Sequence, residues 1–180
     1  MTARILIVDD EKAVRESLEE LLILEDYQVE SAASGEKALE ILGEKDIDLL
    51  LLDIKMPGVD GVEVMKQTKK YHPDTKVIVI TGHGSLESAI EAIRSGAEDY
   101  LLKPYDTGDI LASIGKALSE KAAKQRKELL IEQLESSLDQ LKDVEGIRTP
   151  DVPARRVINL AQGIMVDLER REMLRGGELA

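Results

Sequence analysis

The sequence predicts a doubly wound α/β domain with five parallel strands, followed by an extended helix and a short β-rich tail. Two observations carry this. Short runs of branched aliphatics recur through the first hundred residues, at Ile5–Val8, Val29–Ser31, Leu49–Leu52, Val77–Ile80 and Tyr100–Leu102. Between them lie stretches with the period of an amphipathic helix. Continuous apolar runs suit parallel strands covered on both faces. Strands alternating with helices then require right-handed crossovers and helices on both sides of the sheet.

Each helix has its own signal. Val14, Leu18, Leu21 and Leu22 form one stripe at i, i+4, i+7 and i+8. Ser34 is placed to cap the second helix, and Asp60 with Glu63 resembles a capping box before the third. Leu86, Ile90 and Ile93 repeat the stripe between Ser85 as N-cap and Gly96 as terminator. Five strands and five helices fit a flavodoxin-like sheet in the order 2-1-3-4-5, whose ligands sit at the carboxyl ends of the strands, between strands 1 and 3.

The last helix runs past the end of a compact domain. Its pattern continues from about Asp109 through Ala117, Leu118, Leu130, Leu134, Leu138 and Leu141 to Gly146, with no Pro or Gly between Lys116 and Glu145. Ile131, Leu134, Leu138 and Leu141 have coiled-coil spacing, but Lys124 and Lys127 spoil the seam upstream. The same leucines equally suit packing against the domain. Thr149, Pro150 and Pro153 mark a linker, and beyond it one strand-like stretch, Ile164–Val166, precedes a Gly176–Gly177 turn signal. The expected organisation is residues 3–120 as the main domain, 121–146 as extended helix and 147–180 as linker and tail.

Composition bounds the function. The formal charge is −12, which argues against a general binder of nucleic acid or anionic membrane. Without cysteine there are no disulfides, thiolate metal sites or thiol nucleophiles, which fits a reducing cytoplasm. Asp48 and Asp53 interrupt the most apolar stretch, Ile47–Ile54, and it falls far short of the about 20 residues that cross a bilayer. A soluble, cytoplasmic protein is expected. With neither Phe nor Trp, its core must be aliphatic.

Chemistry should follow the strand ends, and it does. Asp9 and Asp10 end the first run, Asp53 the third and Thr81 the fourth, while Lys103 follows the fifth. Converging carboxylates repel one another and must protonate or recruit a cation. An all-oxygen set with room for water suits Mg²⁺. In this reading Asp53 is the nucleophile that takes a phosphoryl group. Asp9, Asp10 (through a water), Asp53 and the backbone carbonyl of Lys55 hold Mg²⁺. Lys103 and the Thr81 hydroxyl contact phosphoryl oxygens. Taken singly, these residues have plainer roles: Asp10 as N-cap of the first helix, Lys103–Pro104 as a turn, His72 and His83 as loop histidines. Their conjunction at successive strand ends favours the site.

Those residues also carry a resemblance. ILIVDDE, LLLLDIKMPGVDGVEVM, VIVITGHGS and GAEDYLLKP resemble the blocks of the receiver domain of two-component response regulators, over roughly residues 3–120. The resemblance implies an acidic pair at Asp9 and Asp10, a phosphoacceptor at Asp53, a switch hydroxyl at Thr81, an essential Lys103, a rotating aromatic at Tyr100 and a cis Lys103–Pro104 bond. It implies a sensor histidine kinase as phosphoryl donor and a responsive face formed by helix 4, strand 5 and helix 5. A homodimer through that face, or, from the length of the last helix, through the extended helix, is a candidate assembly, and control of transcription is the expected output. A stand-alone relay or adaptor is the alternative. A haloacid dehalogenase-type enzyme would need Asp two residues after its nucleophile, where this chain has Lys55.

The expected protein is thus a phosphoacceptor and not a turnover enzyme. GIMVDLERREMLRGGELA resembles the opening strands of an OmpR/PhoB-type winged-helix domain, whereas TGHGS is closer to NtrC-like receivers and Asp109–Leu118 lacks the arginine usual in the OmpR/PhoB dimer. DNA binding is expected only with a complete output domain beyond Ala180.

Overall fold

The structure is a computed structural model that describes residues 2–82 and 84–145 and four strand segments between 157 and 179. Five strands, β1 (Arg4–Val8), β2 (Gln28–Ala32), β3 (Leu49–Leu52), β4 (Lys76–Thr81) and β5 (Asp99–Leu102), form a parallel sheet in the order β2-β1-β3-β4-β5. Helices α1 (Lys12–Leu24), α2 (Gly35–Glu44), α3 (Gly61–Tyr71), α4 (Leu86–Arg94) and α5 (Thr107–Glu145) connect and follow them.

Alternation along the strands makes two aliphatic layers. Leu6, Val8, Leu50, Leu52, Val77 and Val79 face Ala38, Leu42, Val64 and Met65 of α2 and α3. Ile5, Ile7, Leu49, Leu51, Ile78 and Ile80 face Leu18, Leu22, Ile110 and Ile114 of α1 and α5. Covering both faces explains why β3 reads as four consecutive leucines, all buried.

The caps hold, with two corrections. Ser34 accepts from the Lys37 amide and Asp60 from the Glu63 amide. Glu63, however, turns its carboxylate to Gln67, so the reciprocal half of that box is not made. At α1 the N-cap is Glu11, without a side-chain capping bond, and Asp10 does not take that role. The Asp9 carboxylate occupies the Glu11 amide instead. At α4, Ser85 and Ser88 complete a full reciprocal box.

The chain divides into two units, Met1–Leu130 and Ile131–Ala180. In the first, α5 is tied down at the amino ends of the strands. Ser113 donates to Asp99 (2.7 Å), Lys121 pairs with Asp48 (2.7 Å) and Lys124 with Asp74 (2.8 Å). Lys124 thus leaves the expected seam to serve its own domain. From Leu129 onward the helix presents Leu129, Leu130, Ile131, Leu134 and Leu138 to solvent, while the side chain of Leu141 lies outside the described residues. In the second unit β6 (Val157–Leu160), β7 (Ile164–Asp167), β8 (Glu172–Arg175) and β9 (Glu178–Leu179) make an antiparallel meander, within the tail expected to be β-rich, of which the sequence marks Ile164–Val166 by itself. Residues 149, 150, 153, 176 and 177, read as linker and turn, lie outside the described residues.

Asp48 joins both parts of that anchor: its carboxylate accepts from the Arg4 amide (2.8 Å) and from Lys121. Burial pushes its carboxyl up, but the Lys121 bond and the Arg4 amide outweigh burial and hold it below its ordinary value. A depressed acid stabilises the fold above its unfolded value and stops doing so as pH falls through the folded one. Asp48→Asn should therefore lower the thermal midpoint at neutral pH by a few degrees, on the order of 0.5–1 kcal/mol after solvent screening. The difference should close as pH drops below the ordinary 3.8, checked by melts across pH.

Candidate functional site

Because all five strands run one way, their carboxyl ends share one edge. Asp9 follows β1 and Asp53 follows β3, the two strands that flank the reversal in strand order. Thr81 closes β4 and is fully buried, and Lys103 follows β5. Backbone bonds lock the rim: the Asp53 amide donates to Val8 (2.8 Å), the Asp9 amide to Ala32 (3.2 Å) and the Lys103 amide to Thr81 (2.9 Å). The side chains of Asp9, Asp53 and Lys103 meet as a consequence of the ladder, across as many as 94 residues of sequence. The Lys103–Pro104 bond is cis.

At the centre, Lys103 Nζ lies 2.6 Å from Asp9 Oδ2 and 2.9 Å from Asp53 Oδ2. Glu11 Oε1 approaches the same ammonium at 3.2 Å. The other carboxylate oxygens accept backbone amides, Asp9 Oδ1 from Glu11 and Asp53 Oδ1 from Lys55, each at 2.8 Å. Each buried aspartate therefore has one oxygen pinned by the main chain and one facing the Lys103 ammonium. Burial lowers the affinity of Lys103 for its proton, but its bonds to Asp9 and Asp53 reverse this and hold it charged well above its ordinary range. Burial pushes Asp9 up, the Lys103 bond and the Glu11 amide pull it down, and the charge of Asp53 adds to the rise; the net direction is upward.

Asp10, exposed, brings a third carboxylate. One oxygen each from Asp9, Asp10 and Asp53 lie within 4.8 Å of one another. With Glu11, four carboxylates stand about one ammonium and leave an excess of negative charge. Hard oxygen donors at this spacing fit a hard divalent cation such as Mg²⁺.

Tyr100, next to the rim on β5, packs against the buried layer beneath it, and its hydroxyl lies 3.0 Å from Ser88 Oγ. That oxygen also accepts the Ser85 amide (3.0 Å) and donates to the Ser85 carbonyl (2.9 Å). Lys55 joins the site through its amide. His83 lies outside the described residues. Three neighbours escaped the sequence reading: Glu11 on Lys103, Ser88 on Tyr100, and Arg15, whose guanidinium reaches back to the acidic loop. Only Glu11, adjacent to the acidic pair, carried a usable signal.

This site on this sheet defines a receiver. The response regulator receiver domain family matches residues 5–115, and the chain belongs to that family. It is 37% identical over 126 residues to the regulatory protein AtoC of Escherichia coli, covering 69% of this chain and 27% of that protein. It is 39% identical over 120 residues to the DNA-binding transcriptional regulator NtrC of Klebsiella pneumoniae, covering 67% and 26%. The response regulator MprA of Mycobacterium ulcerans is 41% identical over 112 residues, covering 62% and 48%. The chain thus matches about a quarter to a half of the length of these relatives.

Among solved structures, a CheY-like receiver domain protein from Methanospirillum hungatei superposes with a TM-score of 0.67 at 35% identity, over 69% of this chain and 99% of that one. The response regulator TrrA of Thermotoga maritima, solved with Mg²⁺ and BeF, superposes with a TM-score of 0.60 at 35% identity, over 65% and 100%. No helix among the described residues is long and apolar enough to cross a membrane.

Proposed function

We propose that Asp53 accepts a phosphoryl group from a sensor histidine kinase and that the phosphorylated domain switches a protein-binding face to control transcription. One observation carries this reading: two buried carboxylates and a lysine from three strand ends converge within hydrogen-bond distance beside a third carboxylate. Asp9, Asp10, Asp53 and the Lys55 carbonyl would hold Mg²⁺, Asp10 through a water. The ion supplies neutralising charge for the incoming phosphoryl oxygens.

The chain's own residues do the rest. Asp53 Oδ1 stays pinned by the Lys55 amide, which fixes the carboxylate, and Oδ2 faces phosphorus. The Oδ2–P bond forms as the P–N bond of the phosphohistidine breaks, and the imidazole leaves with the electron pair and takes a proton. Lys103 moves from Asp53 onto a phosphoryl oxygen, Thr81 donates its hydroxyl to another, and Tyr100 leaves Ser88 for the space nearer Thr81. The relatives named as DNA-binding transcriptional regulators support the output, as does the exposed apolar set Leu86, Ile90, Ile93 and Leu102 on α4 and β5. The exposed stripe of α5 supports self-association through the extended helix. The domain acts as phosphoacceptor rather than turnover enzyme, and the antiparallel tail as the start of a winged-helix output.

Incubation with acetyl phosphate and Mg²⁺ should add one phosphoryl group, mapped by mass spectrometry to the peptide containing Asp53 and lost on chelation with EDTA. Labelling that survives EDTA undiminished would count against the ion's role.

A further inference from the structure

We propose that Arg15 is a positioning residue for the divalent ion: its guanidinium braces the loop between β1 and α1 so that Asp9 and Asp10 present their carboxylates to one cation. This rests on the reading of Asp9, Asp10 and Asp53 as the ion-binding set. Arg15 Nη1 donates to the Asp9 carbonyl at 2.7 Å and to the Asp10 carbonyl at 3.1 Å, a single nitrogen clamping two consecutive peptide groups. Helix α1 opens at Glu11 without a side-chain cap, and the Glu11 amide holds the carboxylate of Asp9, not that of Asp10.

The two aspartates depend on the brace unequally. The Asp9 carboxylate is held directly, by Lys103 on one oxygen and the Glu11 amide on the other. Asp10 is exposed, and no hydrogen bond or ion pair engages its carboxylate among the described residues. Its direction is set by its backbone, and the described side chain that grips that backbone is Arg15. Groups that orient metal ligands without touching the metal commonly change affinity by about 10–100-fold when removed.

A guanidinium beside a cation site also repels the cation, and this gives the proposal a sign. Removing Arg15 relieves repulsion and, through charge alone, would tighten binding. Removing the brace frees Asp10 and weakens it. The experiment is a Mg²⁺ titration of the ¹⁵N-labelled full chain, following backbone amide shifts around Asp9 and Asp53, with thermal melts as the check on folding. Arg15→Ala, and Arg15→Met, which keeps the apolar stem, should raise the Mg²⁺ dissociation constant about tenfold. Arg15→Lys, which can place one nitrogen near both carbonyls, should stay within about threefold of wild type, roughly half a decade in affinity. Equal or tighter Mg²⁺ binding by folded Arg15→Ala or Arg15→Met overturns the proposal. Wild-type chain that shows no Mg²⁺-dependent shifts, or Asp10→Asn that binds as wild type does, removes the ion-binding reading itself and the brace with it.

Discussion

Asp53→Asn should abolish labelling by acetyl phosphate, lowering phosphoryl incorporation by more than about two orders of magnitude, because an amide offers no anionic oxygen to attack phosphorus. The fold should survive. Asp53 gives up one ionic partner, Lys103, but Lys103 keeps Asp9 and Glu11. Losing a charged hydrogen bond costs about 1.5–3 kcal/mol, and relief of repulsion between two buried carboxylates offsets it. Mass spectrometry and a thermal melt of the same sample test both halves. Undiminished labelling of the variant, on whatever residue, would sink the assignment of Asp53.

The second large effect is structural and lies against the nucleophile's own backbone. Gly61 opens α3, and a Cβ built on it would sit 2.3 Å from the Asp53 carbonyl oxygen and 2.5 Å from Ile54 Cα. Both obstacles are backbone, held in place by the ladder that positions Asp53, so no side chain can swing away. Gly61→Ala should cost about 3 kcal/mol or more, in the range of severe overpacking, and displace either α3 or the end of β3. Denaturant unfolding measures the loss. Phosphorylation of whatever fraction remains folded should be slower, since the nucleophile's own peptide unit is what must move. A variant as stable as wild type would show that α3 can slide along the sheet.

Much of the fold was legible because burial on both faces writes a strand into sequence as an unbroken apolar run. Leu49–Leu52 needed no context to be read. Helix stripes such as Val14, Leu18, Leu21 and Leu22 were equally local. The central site could be read for a topological reason: parallel strands put whatever follows them on one rim, so Asp9, Asp53, Thr81 and Lys103 could be grouped without knowing any distance.

What escaped was non-local or decided by competition. Asp10 looked like a cap for α1, but the helix starts one residue later, with Glu11 at the N-cap and no side-chain cap, while Asp9 holds the Glu11 amide. Glu11 meets Lys103 across 92 residues, and Ser88 meets Tyr100 across 12, separations that no periodicity encodes. The tail strands are two to four residues each, too short for alternation to separate strand from coil, and their pairing partners decide them.

Helix α4 buries only Ala92 among its nine residues, and its amino end depends on a hydroxyl that also serves Tyr100. So little apolar surface is committed there that reseating the helix trades a few hydrogen bonds worth about 1 kcal/mol apiece, not a piece of the interior. Inverting a two-state balance from one extreme to the other takes about 5.5 kcal/mol. A handful of contacts to one new dianion is of that size. A segment that needs little work to shift thus lies within reach of a single chemical event on the neighbouring rim.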